Sequence, residues 1–280
     1  MKLGIVTDST SDLPPDLTEK HKIEVVPAIL VLEGESYADG AGISRQDFYE
    51  RLPAMRSSPT TAAPSIGEFA SRFEKLFQEG AEHIICIHAA SQLTTIINSA
   101  RLASRDFPGR VTVLDSGSLS LGLGFQVLAA AETAEKTGSL ESTLSAVQST
   151  RERTIIRASL DTMEYLKRSG RVPHAVAALG GILNIKPFVA LKAGLVKPLG
   201  AARTTRQGNQ RTLEMLLECG KLERLAVLHT NAPERASWVY DNFMQISPQN
   251  APPDVLHLIV TTVIGTHIGP NGVGFAAVKA

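Results

Sequence analysis

The sequence predicts an α/β fold of two units. The first is an N-terminal α/β domain over residues 1–155, a mostly parallel sheet flanked by helices; the second is a C-terminal mixed α/β domain over residues 156–280. Three observations carry this. Short apolar runs alternate with helix-period segments through the first half, the pattern of parallel strands joined by helical crossovers. The texture changes near residues 150–160, after which a hairpin pattern enters. A length of 280 residues is long for one core and comfortable for two, since single cores rarely grow past about 250–300 residues.

Element by element, Leu3–Val6 reads as a buried strand that runs into the polar loop Thr7–Pro14 and a helix start. Ile23–Leu32 reads as a second strand, with Pro27 marking an edge or a break. Ser65 and Glu68 make a capping box, and Phe69, Phe73, Leu76 and Phe77 then recur at helical spacing until Gly80. His83–His88 is another buried strand. Ser91 opens a helix whose apolar side carries Leu93, Ile96, Ile97 and Ala100. Val111–Leu114 is a further strand, and Leu119–Leu128 leads into a long helix through Lys136 that Gly138 stops.

In the second half, Asp161–Arg168 reads as a short helix closed by Gly170, followed by the segment Gly180–Pro187. Val189–Leu191 and Leu195–Pro198 flank Lys192-Ala193-Gly194 as a hairpin. A helix at about 206–219, a strand at Leu225–His229, a helix at about 233–245 and a long strand at Val255–Ile264 complete the chain.

Composition removes several function classes. Lysines plus arginines balance aspartates plus glutamates at zero net charge, so no field favours nucleic acid or an anionic surface. Aromatic residues make up 5%, too few for base-stacking platforms. Cys86 and Cys219 show no CxxC spacing, which speaks for two free thiols in a reducing compartment and against a zinc ribbon. No run of 18 apolar residues occurs and the first residues form no signal peptide, so the expected location is the cytoplasm.

Three short polar segments stand at strand ends or helix starts: Pro59–Ser65, Ser91–Thr95 and Gly265–Gly272. They offer hydroxyls, backbone N–H groups and one imidazole, with almost no fixed charge. In a parallel α/β sheet, ligands bind outside the carboxyl ends of the strands, where these segments fall. Thr61 precedes a helix, Thr94 lies in a helix's first turn, and His267 sits between glycines after a long apolar strand. Hydroxyl donors and a helix N-terminus suit one small anionic head group. Each residue also has a plainer reading: turn chemistry for the Thr60–Thr61 pair, an ordinary first-turn position for Thr94, an exposed loop residue for His267. Asp8 and Asp115 read as helix caps or loop closers, with a carboxylate pair as the alternative.

Five segments in order along the chain resemble one family. They are Thr7-Asp8-Ser9-Thr10-Ser11-Asp12-Leu13, Val113-Leu114-Asp115-Ser116, Tyr165-Leu166-Lys167-Arg168-Ser169-Gly170-Arg171, Leu183-Asn184-Ile185-Lys186-Pro187 and Gly265-Thr266-His267-Ile268-Gly269-Pro270. With these the chain resembles the DegV family of bacterial fatty-acid-binding proteins over essentially its whole length. The resemblance implies two α/β domains with a long-chain fatty acid, such as palmitate, between them. It implies a carboxylate held by Thr61, Thr94 and His267; beside it, backbone N–H groups from Ser91 on, Thr95 and the bend at Gly269 are read as support. Thr94 stands where the family has serine, Thr95 where it has glycine, and Ile96-Ile97 replaces a Thr-Tyr pair.

The same resemblance implies a carrier rather than an enzyme. It would present its fatty acid to a separate ATP-dependent kinase subunit that makes the acyl phosphate, with Arg168, Arg171, Arg203 and Arg206 as a docking face. No metal or cofactor is implied. The competing reading is a hydrolase or phosphotransferase built from Ser9 or Ser116 with His267 and Asp115. Against it, the chain has no Gly-x-Ser-x-Gly elbow, no phosphate loop, no dinucleotide fingerprint and no His-Glu-x-x-His. A structural or regulatory protein with no pocket is the third possibility.

Overall fold

The computed structural model describes residues 1–172, 174, 177 and 185–280. The expected Gly180–Asn184 segment, including Leu183 and Asn184 of the fourth motif, lies outside the described residues. Strands β1 (Leu3–Asp8), β2 (Ile23–Val26), β6 (His83–His88) and β7 (Val111–Asp115) form a sheet, parallel throughout, in the order β2-β1-β6-β7. Strands β8 (Thr154–Ser159), β9 (Lys186–Lys192), β10 (Leu195–Ala202), β11 (Leu222–His229), β12 (Val255–Ile259) and β13 (Val273–Lys279) form a mixed sheet in the order β10-β9-β8-β13-β11-β12. Only the β11–β12 pair is parallel among these. A small antiparallel sheet of β3 (Ile29–Leu32), β4 (Glu35–Ala38) and β5 (Thr60–Ala62) has the order β4-β3-β5.

The α/β architecture is thus as expected, and several signals act as their chemistry requires. Pro27 breaks the second apolar run. β2 ends at Val26, the Ala28 N–H bonds Ser9 Oγ at 3.0 Å, and β3 leaves into another sheet. Ser65 caps α3 (Ile66–Gln78) by accepting from the Glu68 N–H, and Phe69 and Phe73 are fully buried at its inner face. The β9–β10 hairpin turns through Ala193 and Gly194, both at positive φ, which matches the right-handed twist of the paired strands.

Helix α5 (Leu121–Thr137) explains how two sheets share one core. Its residues Leu121 to Ala131 are all buried, and Gly138 ends it in the left-handed conformation. One apolar cluster joins Leu123, Val127 and Ala130 of this helix to Ile5 and Ile87 of the parallel sheet and to Ala226, Leu228 and Ala276 of the mixed sheet. A helix apolar all round belongs between two packed layers. Gly122 and Gly124 permit the approach: a Cβ on Gly122 would come within 2.3 Å of Ile156 Cδ1, and one on Gly124 within 2.7 Å of the Ser11 carbonyl oxygen.

Two expectations are corrected. The helix expected to open at Ser91 starts at Ile96 (α4, Ile96–Ala103), so Thr94 precedes it instead of lying in its first turn. The intervening residues form a turn in which the Leu93 and Thr94 N–H groups both bond the Ala90 carbonyl. The long strand expected over Val255–Ile264 stops at Ile259, and Thr262–Ile268 is a helix. The β-branched run Ile259–Ile264 favours a strand locally, but side chains from the N-terminal half take the backbone and hydroxyl groups at Thr261 and Thr262 and turn the chain. The remaining helices are α1 (Pro15–Lys20), α2 (Arg45–Arg51), α6 (Leu140–Arg153), α7 (Glu164–Ser169), α8 (Thr205–Leu217), α9 (Pro233–Ile246) and α10 (Thr262–Ile268). Sequence reading passed over α6, β8 and β13, although β13 is central in the mixed sheet.

Candidate functional site

Thr61 lies on β5, opposite Leu30 of β3, and His267 lies in the last turn of α10. Thr61 Oγ1 and His267 Nε2 stand 2.9 Å apart. On the other side of the ring, Arg171 Nη1 is 3.4 Å from His267 Nδ1. A guanidinium only donates, so Nδ1 is the acceptor and the neutral ring carries its proton on Nε2. Nε2–H then donates to Thr61 Oγ1, which leaves the Thr61 hydroxyl hydrogen for another acceptor. Burial first, and the Arg171 charge second, push the His267 pKa from 6.5 down to about 4. The ring is therefore neutral at physiological pH, and the fixed positive charge at this site is Arg171.

A cavity of about 100 Å³ is lined by Thr61, Thr94, Arg171 and His267 together with Leu119, Ile264 and Ile268. Thr94 Oγ1 accepts weakly from the Ile96 N–H at 3.3 Å, so its own O–H is free to donate. The three residues expected to share one head group are brought together. A wider cleft of about 530 Å³ shares Thr61, Thr94 and Arg171 with this cavity and adds Ser91 and Thr95, both exposed. A third cavity, of about 70 Å³, shares Leu119, Ile264 and Ile268 and continues among Leu160, Leu228 and Phe275. The lining changes along this series, from mixed polar and apolar in the cleft to almost wholly apolar in the third cavity.

The supporting residues separate on inspection. The Ser91 N–H bonds Asp115 Oδ2 at 3.2 Å and is spent there. Gly269 ends α10 with its N–H on the Gly265 carbonyl at 2.8 Å, and it does not line the cavity among the described residues. Its φ of +79° and its contact with Tyr165, which a Cβ would meet at 2.2 Å, account for glycine there.

The arginines separate as well. Arg171, expected on a docking face with Arg168, Arg203 and Arg206, has its guanidinium at His267 and on the Ser169 carbonyl at 3.0 Å. Arg168 pairs with Glu164 and reaches Ser58 Oγ at 3.4 Å. Arg203 and Arg206 are exposed at the start of α8. Reading the three polar segments as nearly free of charge therefore missed a cation that α7 and its following turn deliver. The one signal was Arg171 closing the Tyr165–Arg171 motif.

The components of the alternative enzyme are engaged elsewhere. Ser9 Oγ accepts from Ala28, and Ser116 Oγ bonds the Ser118 backbone. Asp115 closes its loop through the Gly117 N–H at 2.8 Å. Asp8 accepts from the Thr10 N–H at 3.0 Å and pairs with His88 Nδ1 at 2.8 Å. Among the described residues no group of three or more His, Cys, Asp or Glu side chains could hold a metal ion, and no helix is long and apolar enough to cross a membrane.

Comparison with known proteins agrees with this fold. The DegV family, described as "Uncharacterised protein, DegV family", matches residues 2–280. A DegV domain-containing protein of Streptomyces coelicolor is 34% identical over 275 residues, covering 97% of this chain and 96% of its own. The solved structure described as fatty acid binding of a DegV family protein from Thermus thermophilus superposes with a TM-score of 0.91 at 33% identity, covering 100% of both chains. DegV of Bacillus subtilis, described as a fatty acid binding protein, gives a TM-score of 0.88 at 28% identity, again covering 100% of both chains.

Proposed function

The chain belongs to the DegV family, and from that premise we propose that it binds one long-chain fatty acid, carboxylate on the Thr61 and Thr94 hydroxyls and the Arg171 guanidinium, with His267 holding Thr61 through its Nε2–H, and tail in the mostly apolar cavities beside them. The observation that carries this reading is the Thr61–His267–Arg171 contact on walls that a wider cleft and a mostly apolar cavity share. Each buried methylene contributes about 0.8 kcal/mol, so a tail of roughly fifteen carbons has a gross gain near 12 kcal/mol before ordering costs. Tail burial supplies affinity. The carboxylate would cost several kcal/mol to desolvate unless hydrogen-bonded, and the Thr61 and Thr94 hydroxyls with the Arg171 guanidinium meet that cost.

The protein then acts as a carrier without chemistry of its own, in the cytoplasm, serving a separate ATP-dependent fatty acid kinase. There a carboxylate oxygen attacks the γ-phosphoryl group, forming the acyl phosphate and releasing ADP. The shared walls of cleft and cavity support this, since they put the head group where a partner could reach it. Arg168, Arg203 and Arg206, all exposed, are the docking residues in this reading. The same reading divides the chain into 1–155 and 156–280, supported by the mixed sheet beginning with β8 at Thr154.

Native mass spectrometry of the purified protein, followed by lipid extraction, tests the assignment. One long-chain fatty acid per chain is expected, lost in the Thr61→Ala/His267→Ala variant. An unshifted mass after incubation with palmitate and oleate would overturn it.

A further inference from the structure

The Val260 N–H before α10 bonds the His229 carbonyl at 2.8 Å, and the other groups at the helix start are gripped by side chains from the other half of the molecule. Arg45 Nη1 donates to the Ile259 carbonyl at 2.5 Å, and Tyr49 Oη donates to the Val260 carbonyl at 3.0 Å. The Thr261 N–H donates to Asp12 Oδ1 at 2.8 Å. Thr261 Oγ1 and Thr262 Oγ1 both donate to the Asp39 carboxylate, the second at 2.9 Å. Asp12 is tied in turn to Arg45 at 3.1 Å and to Ser120 Oγ at 2.6 Å. Tyr49, Thr261 and Thr262 are buried, so none of these groups can exchange its partner for water at low cost. Tyr49 also lies flat against the helix: a Cβ on Gly265 would come within 2.3 Å of its hydroxyl oxygen.

This clasp sits one helical turn or more from the head-group site, at the opposite end of the helix that carries His267. Its parts and Thr61 share a frame, because Asp39 follows β4 and Thr61 lies on β5 of the same three-stranded sheet. A seven-residue helix has little stability of its own, so its position is that of the groups that grip it. We propose that Asp39 and Tyr49, backed by Asp12 and Arg45, are positioning residues that set α10 against the small sheet and thereby bring His267 Nε2 to Thr61 and into its buried setting. This rests on Thr61 and His267 being the head-group pair, and it assigns a task to residues outside the cavity.

The readout is the His267 imidazole itself, followed by NMR titration of the ligand-free protein with labelled histidine and assigned by loss of the signal in His267→Gln. The charged group that faces the ring is Arg171, on the turn after α7. Asp39, Asp12, Arg45 and Tyr49 act at the far end of the helix. In the native protein the ring titrates near pH 4. Asp39→Ala and Gly265→Ala should each move that midpoint upward by about one unit or more, toward the 6.5 of a solvated ring. Asp39→Asn, which keeps an acceptor, should restore part of the shift.

Gly265→Ala is the sharper variant, because alanine favours a helix by intrinsic propensity. A merely structural role for this position predicts a changed melting temperature with the His267 midpoint unmoved. The core variant Phe243→Leu, in the mixed-sheet half, supplies a control that should lower the melting temperature and leave the midpoint in place. An unmoved His267 midpoint in folded Asp39→Ala and Gly265→Ala would overturn the proposal. Palmitate binding, measured separately, tests the fatty-acid reading: a protein that ignores palmitate but shows the shifted midpoints would retain the clasp and lose the ligand.

Discussion

Thr61 and His267 meet at 2.9 Å across 206 residues of sequence. The Arg171 contact on Nδ1 decides the direction of that bond: the ring donates and the threonine oxygen accepts, which frees the Thr61 hydroxyl hydrogen for another acceptor. Thr61→Val removes the hydroxyl with almost no change of shape. Affinity for palmitate should fall by about 1–3 kcal/mol, roughly 5- to 150-fold, while Thr61→Ser should bind nearly as the native protein does. Isothermal titration or displacement of a fluorescent fatty acid would read the difference. Equal affinities for valine and threonine would remove Thr61 from the head-group site.

Asp12, buried, and His267, half-buried, are shifted in opposite directions. His267 is lowered from 6.5 to about 4, so between those values the unfolded chain binds the proton and the folded one does not. Stability from this group is lost as pH falls from 6.5 to 4, by about 3 kcal/mol. Asp12 is raised from 3.8 to about 6 by burial, against the opposing Arg45 charge and its hydrogen bonds from Ser120 and Thr261. Here the folded chain binds the proton more tightly, and stability is gained by about 3 kcal/mol as pH falls from 6 to 3.8. The two contributions offset each other over nearly the same window. His267→Gln should therefore give a protein whose stability rises, relative to the native profile, as pH falls from 6 to 4. Asp12→Asn should give the opposite slope. Urea denaturation at pH 4, 5, 6 and 7 checks both, and parallel profiles for all three proteins would contradict the assignments.

Cys86 is fully buried on β6, with His88 Nε2 2.7 Å from its sulfur and burial holding its pKa well above 9.0. Cys219 is buried on the other side of the molecule, its pKa also raised by burial. Both are thiols, and inert ones, at neutral pH. A thiol reagent such as DTNB should label neither in the folded protein and both after denaturation in guanidinium chloride. Rapid labelling of one thiol under native conditions would mean that its strand or helix opens far more readily than its packing implies.

Gly124 tests the sandwiched helix. Alanine there gains about 1 kcal/mol of helix propensity, yet its Cβ would press on the Ser11 carbonyl at 2.7 Å, a backbone atom that cannot rotate aside. Overpacking of this kind costs about 1–3 kcal/mol. Gly124→Ala should lower the denaturation midpoint, and a rise would show that the loop after β1 yields. At an exposed helix position the same change would be stabilising, so the sign reports the close contact.

Much of this protein is written in local pattern. The parallel strands, the capped helix after Ser65, the hairpin at Ala193–Gly194 and the end of α5 at Gly138 follow from hydrophobic period, caps and turn residues, each readable within a few neighbours. Thr61, Thr94 and His267 stood out from three polar segments and a family resemblance, and they line one cavity. Tertiary contacts alone decided the rest. Thr262–Ile268 became a helix because Asp12, Asp39 and Tyr49, more than two hundred residues away, take the groups a strand would have paired. Arg171 reaches His267 because α7 and its turn place it there. Local sequence sets which backbone shapes are cheap, but which buried donor meets which acceptor is settled only when distant segments pack, since only then is water removed and each bond strong enough to choose.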